Sequence, residues 1–577
     1  MNPDFLRYRK YVSYGIVFIA FSILIYRLFL LQIYHHSQFR IKAESNSIRE
    51  EWLEPARGKI FDRNGVILAE NYPSYSLSIV PWEVKKHPEI LPILSQYLST
   101  SPEKLQSQME KNSRGLFRPS RIYNFLTFEQ LSFISEELDR LKGLSVDASS
   151  VREYPFGRAT AHLLGYVREP SHDEFQILDD KRYQPGENVG SSGIEKAYEN
   201  LLKGYPGFSY QKVDALGKIV EKVTLKNSRA PIEGDSLILT IDIRLQMFGD
   251  SLLSGRSGSI IVSNANDGAL LCFVSHPGFN PVIFGKNITT KDWNELLADS
   301  TKPLYNRALQ GLYPPGSIYK IITAIAALKH GIISQNHSVF CPGFYRLGNR
   351  IFRCWKEEGH GNLKLLGAIE QSCNVYFMSI MREMNVDQWS DVAHAFGLSE
   401  KTEIALFDEK TSVVPDREFL DKKYGKGRWT AGNLTNQAIG QGDILITPIK
   451  LNQFIATIAN YGKIVTHKLA LHEAPTSNPI EMDIQNYIRL VRLGMFNVVN
   501  GEMGTAKSAR IRNGKVYGKT GTAQNPHGEN HAWFGGFVEF EADTFAVSVL
   551  VENGGMGGAV AAPIAGKVFS FLGKMTK

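Results

Sequence analysis

Residues Tyr11 to Ile33, YVSYGIVFIAFSILIYRLFLLQI, are an almost unbroken apolar run in which Arg27 is the only formal charge. Roughly 20 apolar residues cross the hydrocarbon core of a bilayer, so this stretch can span one. A cleaved signal peptide would show a shorter apolar core and a small-residue cleavage site, whereas this run leads into QIYHHSQF. Arg7, Arg9 and Lys10 precede it, and flanking positive charge stays on the cytoplasmic side. The pattern predicts a cytoplasmic tail at 1–10, a transmembrane helix at 11–33 and everything after it outside. Arg27, near the outer end, is expected to snorkel to the interface.

The external part is large and globular. With 577 residues, 43% of them hydrophobic, the chain is long enough for several cores and too apolar to be disordered. A net charge of +7 over that length lacks the concentrated basic patch of a nucleic-acid binder, so no nucleic-acid partner is expected. Four cysteines are too few for a disulfide scaffold. Residues 34–55 read as a stalk. From about Ala56 to Pro231, short strand-like runs alternate with polar helical ones, and a boundary falls at Ala230–Asp235. Two external domains are therefore expected, 34–235 and 236–577. In the second, a clean strand is expected in SLILTID. SIIVSNA and ALLCFVS read as buried strands joined by a turn at Asn266–Gly268. KVYGKTGTA, HAWFGGFVEF and TFAVSVLVEN read as three more, with helices between and a final helix from Ala562 to Met575. Strands at both ends and helices between predict one sheet covered by helices.

Three short elements in this second part carry chemistry. In GLYPPGSIYKIITAIAALKHG a helix is expected to begin near Ser317 and end at Gly331, since Pro314, Pro315 and Gly316 cannot continue one from upstream. Ser317 then sits at a helix N-terminus, where free N–H groups favour a developing anion, with Lys320 one turn on. A serine beside a lysine able to lose its proton is an activated nucleophile. The second element is Ser372-Cys373-Asn374, ahead of an apolar helical run. The third is Gly518-Lys519-Thr520-Gly521-Thr522 in a strand, where Gly521 lets another backbone approach. Alone, each has a bland reading: chance register, an N-cap, an edge-strand glycine. Together and in this order, S-x-x-K, S-x-N and K-T-G form the signature of penicillin-recognising serine acyl-transferases.

With these motifs the chain resembles the class B penicillin-binding proteins, over nearly its whole length. Arg57-Gly58-Lys59-Ile60-Phe61-Asp62-Arg63-Asn64-Gly65 and Gly190-Ser191-Ser192-Gly193-Ile194-Glu195 are similar to two pedestal motifs of that family. Gly440-Gln441-Gly442, Thr447-Pro448 and Ala561-Ala562-Pro563 also fit. Within the family, WKEEGHG at 355–361 and His531-Ala532-Trp533-Phe534 resemble the elongation-type penicillin-binding protein 2 branch rather than the division branch. No glycosyltransferase module fits in the N-terminal half.

The resemblance implies an α+β chain with a single transmembrane helix and an elongated, dimerisation-like N-terminal pedestal. It also implies a C-terminal penicillin-binding transpeptidase domain, whose central antiparallel sheet is sandwiched by helices. It implies a serine-type D-Ala-D-Ala transpeptidase in the bacterial inner membrane, bulk periplasmic, that cross-links peptidoglycan stem peptides during cell elongation and is acylated by β-lactams. Ser317 would be the nucleophile, Lys320 the base and Ser372 the proton relay, with Lys519 helping to keep Lys320 neutral. Asn374 would hold the substrate amide; Lys519, Thr520, Gly521 and Thr522 would bind its carboxylate along the strand; the N–H groups of Ser317 and Thr522 would form the oxyanion hole. Implied partners are a membrane-embedded glycan polymerase of the SEDS family and other elongation-complex proteins. A β-lactamase or carboxypeptidase would share the three motifs, but a lactamase needs neither anchor nor pedestal. A non-catalytic scaffold or sensor would be expected to lose Ser317, Lys320 or Lys519.

Cys341, Cys354, His360 and Cys373 form a complete Cys3His set, the composition of a closed structural zinc site. In an oxidising compartment the same thiols offer a disulfide instead. Some penicillin-binding protein 2 sequences carry metal ligands at these four positions, so the resemblance implies one structural Zn2+ and no organic cofactor. Cys272 reads as a core thiol.

Overall fold

A computed structural model of the chain describes residues 3–35 and 48–576, apart from 114, 139, 180, 214–218, 225–226 and 287. The N-terminal run is helical over Pro3–Phe29, and Lys10–Tyr34 is long and apolar enough to cross a membrane, with none of it buried against the rest of the chain. It is the one such helix among the described residues.

The stalk expected over 34–55 falls largely on 36–47, outside the described residues, and its end is not a stalk. Ile48–Leu53 is a strand antiparallel to Gly207–Val213, with Ile48 opposite Lys212 and Leu53 opposite Gly207. Trp52 Nε1 donates to Glu187 Oε1 at 2.6 Å. I-R-E-E-W-L carries too much charge for a period of two to be visible; its long-range partner makes it a strand. A second pedestal sheet is built on Ile67–Ile79, which pairs with Ile60–Phe61, Ser120–Tyr123 and Leu144–Glu153. SLILTID also departs from expectation. Only Leu237–Ile238 is strand, and it pairs parallel with Ile60–Phe61 of the pedestal rather than with the C-terminal sheet.

The two pedestal motifs meet each other. Glu195 is fully buried and takes Arg57 Nε at 2.6 Å on one oxygen and Arg152 Nε at 2.7 Å on the other. Asp62, also buried, accepts from the N–H groups of Asn64 and Val66 at 2.8 Å and from Ile243 N at 3.2 Å, while Asn64 Nδ2 reaches Asp242 at 3.0 Å. These bonds tie the pedestal to the first helix beyond it. Ile60, Leu163, Ile194 and Leu202 share one apolar cluster with Ile261, Leu270, Phe273 and Ile449. The pedestal base and the catalytic sheet therefore bury a common core.

The C-terminal sheet has five antiparallel strands: β1 Gly258–Asn264, β2 Leu270–His276, β3 Lys515–Ala523, β4 His531–Glu539 and β5 Thr544–Val551, in the order β2-β1-β5-β4-β3. Successive residues of β4 serve opposite faces. Gly535 leaves room for Ile318 and Ile455, since a Cβ there would lie 3.1 Å from the Ile455 side chain. Phe534, on the other face, meets the ring of Phe569. Helices α1 Lys320–Lys329 and α3 Pro448–Ala459 thus cover one face and α5 Ala561–Met575 the other; α2 Asn374–Met381 and α4 Met482–Asn500 pack around them. Residues 320–328 of α1 are all buried, so this helix is apolar all round because it is enclosed all round. The expected helix-covered antiparallel sheet is found.

Candidate active site

The nucleophile turn is tighter than expected. Gly316–Tyr319 is a 3-10 turn that feeds α1 at Lys320, so Ser317 lies one turn before the α-helix proper. Gly316 makes the turn with φ +56, and a Cβ there would sit 2.9–3.1 Å from the backbone of Thr522. Only glycine satisfies both demands. Gly521 answers from the strand: a Cβ on it would lie 2.6 Å from Pro315 O. Trp533 Nε1 donates to Pro314 O at 3.0 Å and pins the turn to β4. The serine turn and strand β3 therefore meet backbone to backbone.

Lys320, Ser372, Asn374 and Lys519 converge from three separate elements. Lys320 Nζ donates to Ser372 O and Asn374 Oδ1, both at 2.7 Å, and lies 3.3 Å from Ser372 Oγ. Lys519 Nζ lies 2.8 Å from the same Oγ. Both lysines are 0% exposed. Burial pushes Lys320 down to about 8, and burial together with the charge of Lys320 pushes Lys519 well below the usual lysine range. Burial, rather than the expected charge of Lys519, is thus what favours neutral Lys320. Ser372 has φ +55, a left-handed conformation that costs a non-glycine residue of order 1–3 kcal/mol and concentrates at functional sites. Ser317 is half-buried.

β3 is the sheet's edge strand, and its Lys519 side chain reaches into this cluster. Thr522 O accepts from Gln441, and a Cβ on Gly316 would lie 2.9 Å from Thr522 O and 3.1 Å from Thr522 N, so the peptide groups of Thr522 are offered beside the Ser317 turn. Thr522 Oγ1 accepts from Gly557 N at 3.2 Å, and Thr520 Oγ1 pairs with Thr505 Oγ1 at 3.1 Å. Thr505 and Gly557 were not singled out from sequence; the run Gly554-Gly555-Met556-Gly557-Gly558 was the available signal.

The Cys3His set is assembled too. The ligand atoms of Cys341, Cys354, His360 and Cys373 all lie within 4.8 Å of one another, with His360 Nδ1 3.5 Å from Cys341 Sγ and 3.6 Å from Cys354 Sγ. All four cysteines are unpaired, so the disulfide alternative is not the arrangement found. Cys272 is buried in β2, as expected of a core thiol. The cluster touches the catalytic one: Asn374 N donates to Cys354 Sγ at 3.4 Å, Asn374 Nδ2 donates to Arg353 O at 3.3 Å, and Cys373 caps α2.

A serine at a tight turn, two buried lysines sharing a second serine, and an edge strand beside them make a peptide acyl-transfer site. Residues 258–570 match the penicillin-binding protein transpeptidase domain, and residues 53–239 match the penicillin-binding protein dimerisation domain. The chain belongs to the penicillin-binding proteins. This penicillin-binding protein is 31% identical to the peptidoglycan D,D-transpeptidase MrdA of Salmonella typhimurium, over 98% of its own length and 96% of the relative's. Among solved structures, it resembles penicillin-binding protein 2 of Helicobacter pylori in complex with MreC, with a TM-score of 0.82 and 31% identity over 91% of this chain and 99% of that one. It also resembles a chain from a peptidoglycan synthase complex described as coordinating polymerization and crosslinking, with a TM-score of 0.71 and 25% identity over 97% and 98%.

Proposed function

We propose that this penicillin-binding protein cross-links peptidoglycan during cell elongation through an acyl-enzyme on Ser317. The observation that carries the reading is the convergence of Lys320 and Lys519 on Ser372 Oγ at 3.3 and 2.8 Å, beside the Ser317 turn. Ser317 Oγ attacks the carbonyl carbon of the penultimate D-Ala of a donor stem; the bond to the terminal D-Ala nitrogen breaks as the ester forms. Neutral Lys320 takes the hydroxyl proton. Ser372, lying between the two lysines, passes a proton to the leaving amine. The amine of an acceptor strand then displaces Ser317. Lys519 and Thr520 take the terminal carboxylate, Asn374 the donor amide, and the N–H groups of Ser317 and Thr522 the oxyanion. The chain is held in the inner membrane by Lys10–Tyr34, with its tail cytoplasmic and its bulk periplasmic, within reach of a SEDS-family polymerase and elongation-complex proteins.

The test is the intact mass of the detergent-solubilised chain, followed for hours after benzylpenicillin and combined with peptide mapping. A single stable adduct on Ser317, together with release of D-Ala and a cross-linked dimer from stem peptides, is the expected result. Fast loss of the adduct with release of hydrolysed penicillin would mean a hydrolase instead.

The Cys3His cluster is proposed to hold one structural Zn2+. Its donors suit the ion: three thiols and an imidazole, close enough for one tetrahedral centre, are a closed set with no open position. Bound there, the ion would supply rigidity rather than chemistry. It would fix Cys373 and, through Cys354 Sγ and Arg353 O, the placement of Asn374. Elemental analysis is expected to give one zinc per chain, and Cys354→Ser to lose it and lower the thermal midpoint. Wild-type protein without metal, its four thiols titrating as free or oxidised, would remove the site.

A further inference from the structure

The free edge of β3 is already occupied from within the chain. Gln441 Nε2 donates to Thr522 O at 3.0 Å, and Gln441 Oε1 accepts from Gln524 N at 3.3 Å. A carboxamide offers the same donor and acceptor as a peptide group, so Gln441 does at this edge what an added strand would do. Its position is fixed from below. Gly440, with φ +75, accepts at its carbonyl from Gly316 N at 2.9 Å, and a Cβ on Gly440 would lie 2.0 Å from Gly316 O. Gln441 is therefore anchored to the Ser317 turn while its side chain lies along the strand.

In an antiparallel ladder, a residue whose groups point outward exchanges both its N–H and its C=O with the same partner residue. A donor peptide whose attacked carbonyl sits at Thr522 N–H must aim the amide N–H of that same residue at Thr522 O. The residue two places earlier must aim its carbonyl at Gln524 N–H. Gln441 holds both of these places.

We propose that Gln441 is a specificity-determining residue: any ligand with an amide N–H on the carbon next to the attacked carbonyl must exchange with the Gln441 side chain. The ligand class is an extended acyl-D-alanyl peptide or an acylamino β-lactam. The inference rests on the acyl-transfer reading given under the proposed function. When such a ligand acylates, the Ser317 Oγ–C bond forms, the lactam C–N bond breaks and the serine proton ends on the lactam nitrogen. None of those steps involves Gln441, so its effect is confined to recognition.

The test compares two β-lactams on the full chain by intact mass. Benzylpenicillin carries the amide N–H; unsubstituted penicillanic acid has hydrogen at that carbon. In both Gln441→Ala and Gln441→Glu the ratio of their acylation rates is expected to rise about three- to tenfold in favour of benzylpenicillin, the worth of one neutral hydrogen bond. Glutamate keeps the size of the side chain but cannot donate to Thr522 O, so it stands in if the alanine variant folds poorly. An unchanged ratio overturns the proposal. So does an equal fall in both rates, which would make Gln441 a strut between the serine turn and β3. Absence of any adduct in the wild type would sink the acyl-transfer reading itself, and this inference with it.

Discussion

Lys320→Met slows acylation by benzylpenicillin about 10²- to 10⁴-fold, the range general-base catalysis supplies, while the thermal midpoint stays within a few degrees of wild type. Two opposing terms set the second half of that result. Methionine leaves Ser372 O and Asn374 Oδ1 without the donor they now have at 2.7 Å, and each unsatisfied buried acceptor costs about 1–3 kcal/mol. Against that, the variant removes one of two amines buried around one hydroxyl with no carboxylate in hydrogen-bond reach among the described residues, and a buried charge without a counter-ion is costly. A rate that falls at constant stability identifies a group kept for chemistry. If Lys320 served only to hold Ser372 at φ +55, the midpoint would fall along with the rate. A loss of less than about tenfold would assign the proton to another group. Acylation time courses by intact mass, with thermal melts on the same samples, separate these outcomes.

Different parts of the molecule were legible in the sequence to different degrees, for physical reasons. Strands β1, β2, β4 and β5 are buried on both faces, so they read as short, largely apolar runs. Helix α1 was legible because the segment Pro314-Pro315-Gly316 marks where it can begin. Its 3-10 entry was not, because that turn depends on a contact between Gly316 and Thr522, some 200 residues apart in the chain. Ile48–Leu53 failed for the same reason, since its partner Gly207–Val213 lies far along the chain. At the site, the residue types were visible but their meeting was not. Nothing local to Lys519 says that its amine will share a hydroxyl with Lys320, and nothing local to Ser372 demands a positive φ. Gln441 was visible as the middle of a family-like Gly-Gln-Gly segment, without a role. What it does depends on Thr522, legible as part of the strand motif, and on Gln524, which carries no signal of its own.

Glu195→Ala lowers the stability of the whole external part by about 3–5 kcal/mol, because it leaves Arg152 buried without a counter-ion and Arg57 with Glu199 alone. Arg57 and Arg152 hold this carboxylate at 2.6 and 2.7 Å, and Tyr154 Oη donates to it at 3.3 Å. Burial alone pushes the Glu195 carboxyl up, but the two arginines outweigh it and hold it below the usual carboxylate range. A depressed carboxyl contributes stability that is complete above its unfolded value of about 4.3 and is lost as pH falls through the folded one. The variant and the wild type are therefore expected to converge in stability in acid and to differ most at neutral pH. The loss does not stay in the pedestal. Ile194, the residue before Glu195, packs in the same cluster as Ile261, Leu270 and Phe273 of the catalytic sheet. Loosening the pedestal base removes part of the floor under β1 and β2, so the two halves are expected to unfold in one transition. Urea denaturation followed in parallel by hydrogen exchange of the pedestal peptides over 60–79 and by residual penicillin acylation decides the matter: coincident midpoints, both shifted in the variant, are the expected result. A catalytic half that still acylates after the pedestal signal has gone would mean that the shared cluster transmits nothing, and that the pedestal motifs serve their own domain alone.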